Sequence, residues 1–81
     1  MNIRLRKSAV KDLNRINSKQ KGKILSKIKD LKSFPEVTNI KKLTNFEPAY
    51  RLRVGDYRIL FDIFEDTIEI ARVLHRKESY K

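Results

Sequence analysis

The apolar positions of this 81-residue chain change period along its length. Ile3 and Leu5 alternate with Arg4 and Arg6, which predicts a short strand with one buried face. After Ser8, a fair N-cap, Val10, Leu13 and Ile16 recur at helical spacing. Asn17-Ser18 interrupts that helix, and Ser18 is placed to cap a second. In the second helix Ile24, Leu25, Ile28 and Leu31 fall at i, i+1, i+4 and i+7, a single apolar stripe. Lys19, Lys21, Lys23, Lys27, Lys29 and Lys32 occupy the remaining faces. Gly22 weakens this helix by roughly 1 kcal/mol relative to alanine. Pro35 ends it, because the residue before a proline is pushed out of helical geometry. So short a break between the two helices predicts an antiparallel hairpin.

Residues 34–49 read as irregular, punctuated by Pro35 and Pro48. Beyond them the period becomes two. Tyr50, Leu52 and Val54 point one way and Arg51 and Arg53 the other. Gly55-Asp56 predicts a tight hairpin turn. The next strand sets Tyr57, Ile59, Phe61 and Ile63 against Arg58, Leu60, Asp62 and Phe64, so both faces carry apolar groups and the strand is expected to be central. Glu65-Asp66 then turns the chain into a last strand from Thr67 to about Leu74. The order is β-α-α-β-β-β. It predicts an α+β fold, a helical hairpin packed on a mostly antiparallel four-stranded sheet, with residues 1–81 forming one domain.

Composition narrows the chemistry. There is no cysteine, hence no disulfide framework and no thiolate nucleophile or metal ligand. A single histidine rules out a zinc site built on several imidazoles. The first residues carry charge with no apolar run behind them, so no signal peptide is expected; nor does any stretch approach the ~18 apolar residues of a membrane span. A cytoplasmic protein without metal, cofactor or membrane contact is expected. The net charge is +10, and residues 1–33 hold 11 basic and 2 acidic side chains. A field of that sign attracts polyanions. A solvated lysine face, nucleic acid and an acidic protein partner all account for it.

No phosphate-binding glycine loop, paired carboxylates or nucleophile with a histidine partner is present. What stands out is a set of cations ordered by strand geometry. Arg51 and Arg53 share a face, the turn brings Arg58 back on the next strand, and His75, Arg76 and Tyr80 leave the end of the strand after it. If the three strands are adjacent, these groups gather at one end and face of the sheet. Guanidinium forks suit phosphodiester oxygens, and arginines can stabilise the charge that builds on phosphorus when a 2′-hydroxyl attacks. Each also has a plain reading: solvent-facing strand arginines, a surface pair of Arg58 with Asp62, a polar contact for His75, a frayed Tyr80.

Tyr50-Arg51-Leu52-Arg53-Val54-Gly55-Asp56-Tyr57-Arg58-Ile59-Leu60-Phe61, followed by a closing His75-Arg76 and Tyr80, resembles the RelE/ParE toxin superfamily, and the likeness runs from Ile3 to Tyr80. The resemblance implies a toxin held inactive by a cognate antitoxin in a hetero-oligomer. In its RelE-like branch it implies a ribosome-dependent endoribonuclease that cuts mRNA in the A site by metal-free 2′-hydroxyl attack. Arg51 and Arg53 would then bind RNA phosphate, and Arg58 and Arg76 would stabilise the transition state. Tyr80 would stack on a base, and His75 or Tyr80 would handle protons. Lys23, Lys27 and Lys29 would hold the ribosomal RNA backbone. Well-studied members have lysines where this chain has Arg51 and Arg53, and an arginine is a poor general base, which leaves His75 as the first choice for that role. A second departure from the family pattern is expected at the end, where no C-terminal helix would follow Tyr80 to fix it. The alternative is a ParE-like toxin that inhibits DNA gyrase, a binding protein without nuclease activity.

Overall fold

The computed structural model describes residues 2–34, 40–43 and 48–77. Strand β1 (Asn2–Leu5) is followed by helices α1 (Lys7–Asn14) and α2 (Ser18–Asp30), with a single 3₁₀ turn, Leu31–Ser33, closing the second. Strands β2 (Ile40–Lys42), β3 (Tyr50–Val54), β4 (Tyr57–Phe64) and β5 (Thr67–His75) complete one sheet in the order β1-β5-β4-β3-β2. Three ladders are antiparallel and β1 lies parallel to β5, so the sheet is mixed. The expected β-α-α-β-β-β order holds, with one addition. The region expected to be irregular contributes β2, making five strands rather than four. A three-residue strand with a single apolar side chain has no alternation to read. Pro35 and Tyr80 lie outside the described residues.

Both helix starts differ from expectation. The N-cap position of α1 is Arg6, with no side-chain cap, and the Ser8 hydroxyl donates instead to the Ala71 carbonyl at 2.6 Å. Asn17, not Ser18, caps α2, accepting from the Gln20 N–H at 3.0 Å. The apolar stripes are narrower than the spacing implied. Ile24, Ile28 and Leu31 are buried while Leu25 is 40% exposed, and on α1 Ala9 and Leu13 are buried while Val10 is 41% exposed. Ala9 escaped the pattern because it is small.

The core lies between the helices and one face of the sheet. Ala9, Leu13, Ile24, Ile28 and Leu31 meet Leu52, Ile59, Phe61, Ile68, Ile70 and Val73. Tyr50 stacks on Phe61 with centroids 5.4 Å apart, and Phe34 meets both rings edge-on. Between β3 and β4, Gly55 has φ +57°, a left-handed turn conformation that costs glycine nothing.

Strand β5 outruns its parallel partner. β1 pairs only as far as Leu5 opposite Ile70, and beyond that β5 would present unpaired backbone. Helix α1 supplies the missing partners. Arg6 N–H donates to the Ile70 carbonyl, the Ser8 hydroxyl to that of Ala71, and the Asp12 carboxylate accepts from Val73 N–H at 2.9 Å. Arg72 meets the same carboxylate with two nitrogens, at 2.8 and 3.1 Å. Burial of Asp12 favours its neutral form. The Arg72 hydrogen bonds, the Val73 N–H and the charges of Arg72 and Arg15 outweigh this and hold its pKa below the ordinary 3.8.

This contact sets an acid limit on stability. Because the folded pKa is depressed, the stabilisation is fully present above the ordinary value, about pH 4, and is lost as pH falls through the folded value. Asp12→Ala leaves the buried Val73 N–H without its acceptor and removes the ion pair with Arg72, at a cost of about 2 kcal/mol. At pH 7 it is expected to melt roughly 10 °C below wild type. In denaturant melts the gap should narrow steadily below about pH 4. A gap that stays constant down to pH 2 would show that the charge of Asp12 is immaterial.

Candidate functional site

The two faces of the sheet differ because paired residues share a face. Leu52, Ile59 and Val73 lie side by side towards the helices. Their neighbours Arg51, Arg53, Arg58, Leu60 and Leu74 lie on the other face, over which no described helix packs. Arg53 stands directly opposite Arg58, and Arg51 opposite Leu60. Arg51 and Arg58 are half-buried and Arg53 is exposed. Arg51 Nε is buried and has no hydrogen-bond partner.

The far end of the same face is acidic. Asp62 and Glu69 are cross-strand partners, a repulsive arrangement in isolation. Arg6 relieves it, with its Nε 2.5 Å from Glu69 and a terminal nitrogen 3.9 Å from Asp62. Asp62 also accepts from Ala49 N–H at 2.6 Å. The two carboxylates thus stand at one end of this face, and Arg53 and Arg58 at the other.

A bulge decides what else reaches that end. Leu60 pairs with Arg72 and Phe61 with Ile70, so Ala71 has no counterpart on β4. Past the bulge, the side chains of β5 exchange faces. Val73 and His75 join Ile70 on the helix side, where simple alternation from Ile68 and Ile70 would have put Arg72 and Leu74.

His75 therefore departs from the expectation that all the cations share one face. It pairs with Tyr57, its ring edge-on to that ring at 5.2 Å. The two line a cavity of about 240 Å³ with Asp12, Arg15, Ile16 and Val73. Its Nδ1 accepts from Lys77 N–H at 3.2 Å, so a neutral His75 carries its proton on Nε2.

Arg76 follows directly, and its N–H donates to the Asp56 carbonyl at 2.6 Å, which ties the end of β5 to the β3–β4 turn. Arg53, Arg58 and the Arg76 backbone thus meet at one end of the sheet. Tyr80 lies outside the described residues. Lys23, Lys27 and Lys29 are all exposed on α2, away from its buried stripe.

Two features had gone unread. Asp12 is an acid at a buried position of an otherwise apolar helix face, a signal available in the spacing Ala9, Asp12, Leu13, Ile16. Lys41 faces Arg51 from β2, and no pattern in so short a strand points to it.

Comparison with known proteins agrees with this geometry. The family model for the ParE toxin of type II toxin–antitoxin systems, parDE, matches residues 3–80. Toxin RelE3 of Methanocaldococcus jannaschii is 34% identical over 84 residues, 99% of this chain and 96% of that protein. The crystal structure of a RelB–RelE antitoxin–toxin complex from Methanococcus jannaschii holds a chain that superposes with a TM-score of 0.81 at 35% identity, covering 95% of this chain and 94% of that one. A chain of the toxin–antitoxin complex RelBE2 from Mycobacterium tuberculosis superposes at 0.77 with 29% identity, covering 93% and 96%. The fold, the ordered cations and the match along nearly the whole length lead to one assignment: the chain belongs to the RelE/ParE superfamily, as a toxin of a type II toxin–antitoxin system.

Proposed function

We propose that this toxin is a ribosome-dependent endoribonuclease that cleaves mRNA in the A site, working in the cytoplasm as a single domain. The observation that carries the proposal is the sheet face opposite the helices, on which Arg53 stands opposite Arg58, beside Arg51 and at the end where Arg76 follows β5. In the proposed reaction the 2′-oxygen bonds to phosphorus as the bond to the 5′-oxygen breaks. The products are a 2′,3′-cyclic phosphate and a 5′-hydroxyl. The nucleophile is internal to the RNA, and the protein's task is to hold the phosphate and stabilise charge. Arg51 and Arg53 bind phosphate, while Arg58 and Arg76 stabilise the transition state. Tyr80 stacks on a base. Of the two residues expected to handle protons, His75 lies at the same sheet end but on the helix side, away from the arginines, which leaves Tyr80 to pass the 2′-hydroxyl proton to the leaving 5′-oxygen. No cofactor enters the proposal.

Arg58→Ala and Arg76→Ala are each expected to lower cleavage of translated mRNA by about 100-fold or more in a primer-extension assay, with unchanged circular dichroism. Cleavage within a few-fold of wild type in both variants would sink the assignment. The ParE description of the matching family model keeps the gyrase reading in view. Inhibition of gyrase supercoiling by a wild-type toxin that leaves RNA intact would establish it.

Lys23, Lys27 and Lys29 are proposed to grip ribosomal RNA backbone without reading sequence. Reversing all three charges should weaken ribosome binding and flatten its salt dependence, while α2 stays folded because none lies on the buried stripe. Unaltered binding would reduce these lysines to a solvated face.

The cognate antitoxin is proposed to bring an acidic, amphipathic segment. Its seat is a groove of about 460 Å³ between β1 and α2, floored by Ile3, Leu25 and Ile28 and flanked by Lys29 and Lys32. Apolar side chains of the antitoxin would bury Leu25, and its carboxylates would meet the two lysines. The complex should melt well above the free toxin, by the equivalent of about 2.7 kcal/mol when antitoxin is at 100 times its Kd. Leu25→Asp should erase most of that gain. Full protection of the variant would place the antitoxin elsewhere.

A further inference from the structure

Strand β2 brings to the sheet a cation that its surroundings in the sequence conceal. Lys41 is the cross-strand partner of Arg51. Lys41, Arg51 and Arg53 line one open cavity of about 240 Å³ together with Ile40. Like charges opposite each other on neighbouring strands repel. None of these three takes part in an ion pair among the described residues, in contrast to the Arg6 and Arg72 clusters of the same molecule. Arg51 adds a second cost, since its Nε is buried without an acceptor. In the free protein this arrangement is unfavourable. Around a group with several anionic oxygens it becomes favourable, because two guanidinium forks and an ammonium converge on it.

We propose that Lys41, Arg51 and Arg53 form a subsite for a backbone phosphate of a single-stranded nucleic acid, with Lys41 as a binding residue. Only the identity of the polymer rests on the nuclease reading; the group recognised is the phosphodiester. Lys41 lies two strands from Arg58, about 10 Å at ordinary strand spacing. It therefore holds a phosphate that flanks the one at Arg58. Lys41 acts in binding and not in the chemical step, so its loss weakens binding while leaving the rate of the bound complex unchanged.

The test uses the full chain as wild type, Lys41→Gln and, as a control, Lys11→Gln on the exposed side of α1. The probe is a labelled 2′-deoxy oligonucleotide, which has no 2′-hydroxyl to attack with. Fluorescence anisotropy across salt concentrations gives affinity and its salt slope, and melting of each unliganded variant gives stability. Lys41→Gln should bind several-fold more weakly and lose about 0.7 from the slope of log affinity against log salt, the contribution of one phosphate contact in a single strand. It should also melt above wild type when free, because a repulsion has gone. Lys11→Gln should do neither.

A Lys41→Gln slope and melting temperature matching those of Lys11→Gln would overturn the subsite, as would a wild type that fails to bind the oligonucleotide. A response to Lys41→Gln seen only with an acidic peptide would overturn it too, in favour of a protein contact. Ribosomal mRNA cleavage on the same variants separates the two readings. Lys41-dependent binding without cleavage keeps the subsite and removes the nuclease. Cleavage with Lys41-independent binding does the reverse.

Discussion

A parallel strand pair that stops halfway leaves backbone to satisfy, and the way this protein satisfies it organises everything downstream. β5 runs on for five residues after its last partner on β1, and the helix that follows β1 lies along that edge. Ser8 and Asp12 take the places of strand backbone, one donating and one accepting. A carboxylate at so buried a position would ordinarily oppose folding. Here two guanidinium contacts and a main-chain N–H offset its desolvation.

The same stretch of β5 holds the bulge, and the bulge sorts the chemistry. With Ala71 extra, Val73 fills the core and His75 goes to the helix side with Tyr57. The opposite face keeps the arginines of β3 and β4. Along that face the charges are divided rather than mixed. Arg6 bridges Asp62 and Glu69 at one end, and among the described residues no carboxylate pairs with Arg51 or Arg53 at the other. Keeping Lys41 opposite Arg51 is a local concession of stability. Hydrophobic burial beneath the sheet, with Phe61, Ile59 and Ile70 fully enclosed, carries the fold through that concession.

How much of this was legible follows from signal length. The stripe of α2 and the two-sided apolar pattern of β4 each span two or more periods, and Gly55-Asp56 sits between strands of clear alternation. These were readable, as was the ordering of Arg51, Arg53 and Arg58. β2 was not, because Ile40-Lys41-Lys42 is shorter than two periods and its pairing is decided by β3. The bulge was also hidden. Nothing local in Ile70-Ala71-Arg72 announces it; the tie to α1 is a contact across sixty-one residues, between Asp12 and Val73. Alternation alone therefore groups His75 with the arginines, and the bulge moves it to the helix side. The caps erred by a single residue or by role, since Ser8 serves β5 rather than its own helix.

The claim on which the account turns is that the bulge at Ala71 separates His75 from the arginine face while α1 holds the edge of β5. Nuclear Overhauser contacts of the His75 ring protons in the free toxin measure it directly. The account predicts contacts to Tyr57 and Ile16, none to Arg58 or Leu60, and slow exchange of the Val73 amide proton. Contacts from His75 to Arg58, with a rapidly exchanging Val73 amide, would mean that β5 runs without the bulge, and the account would be contradicted.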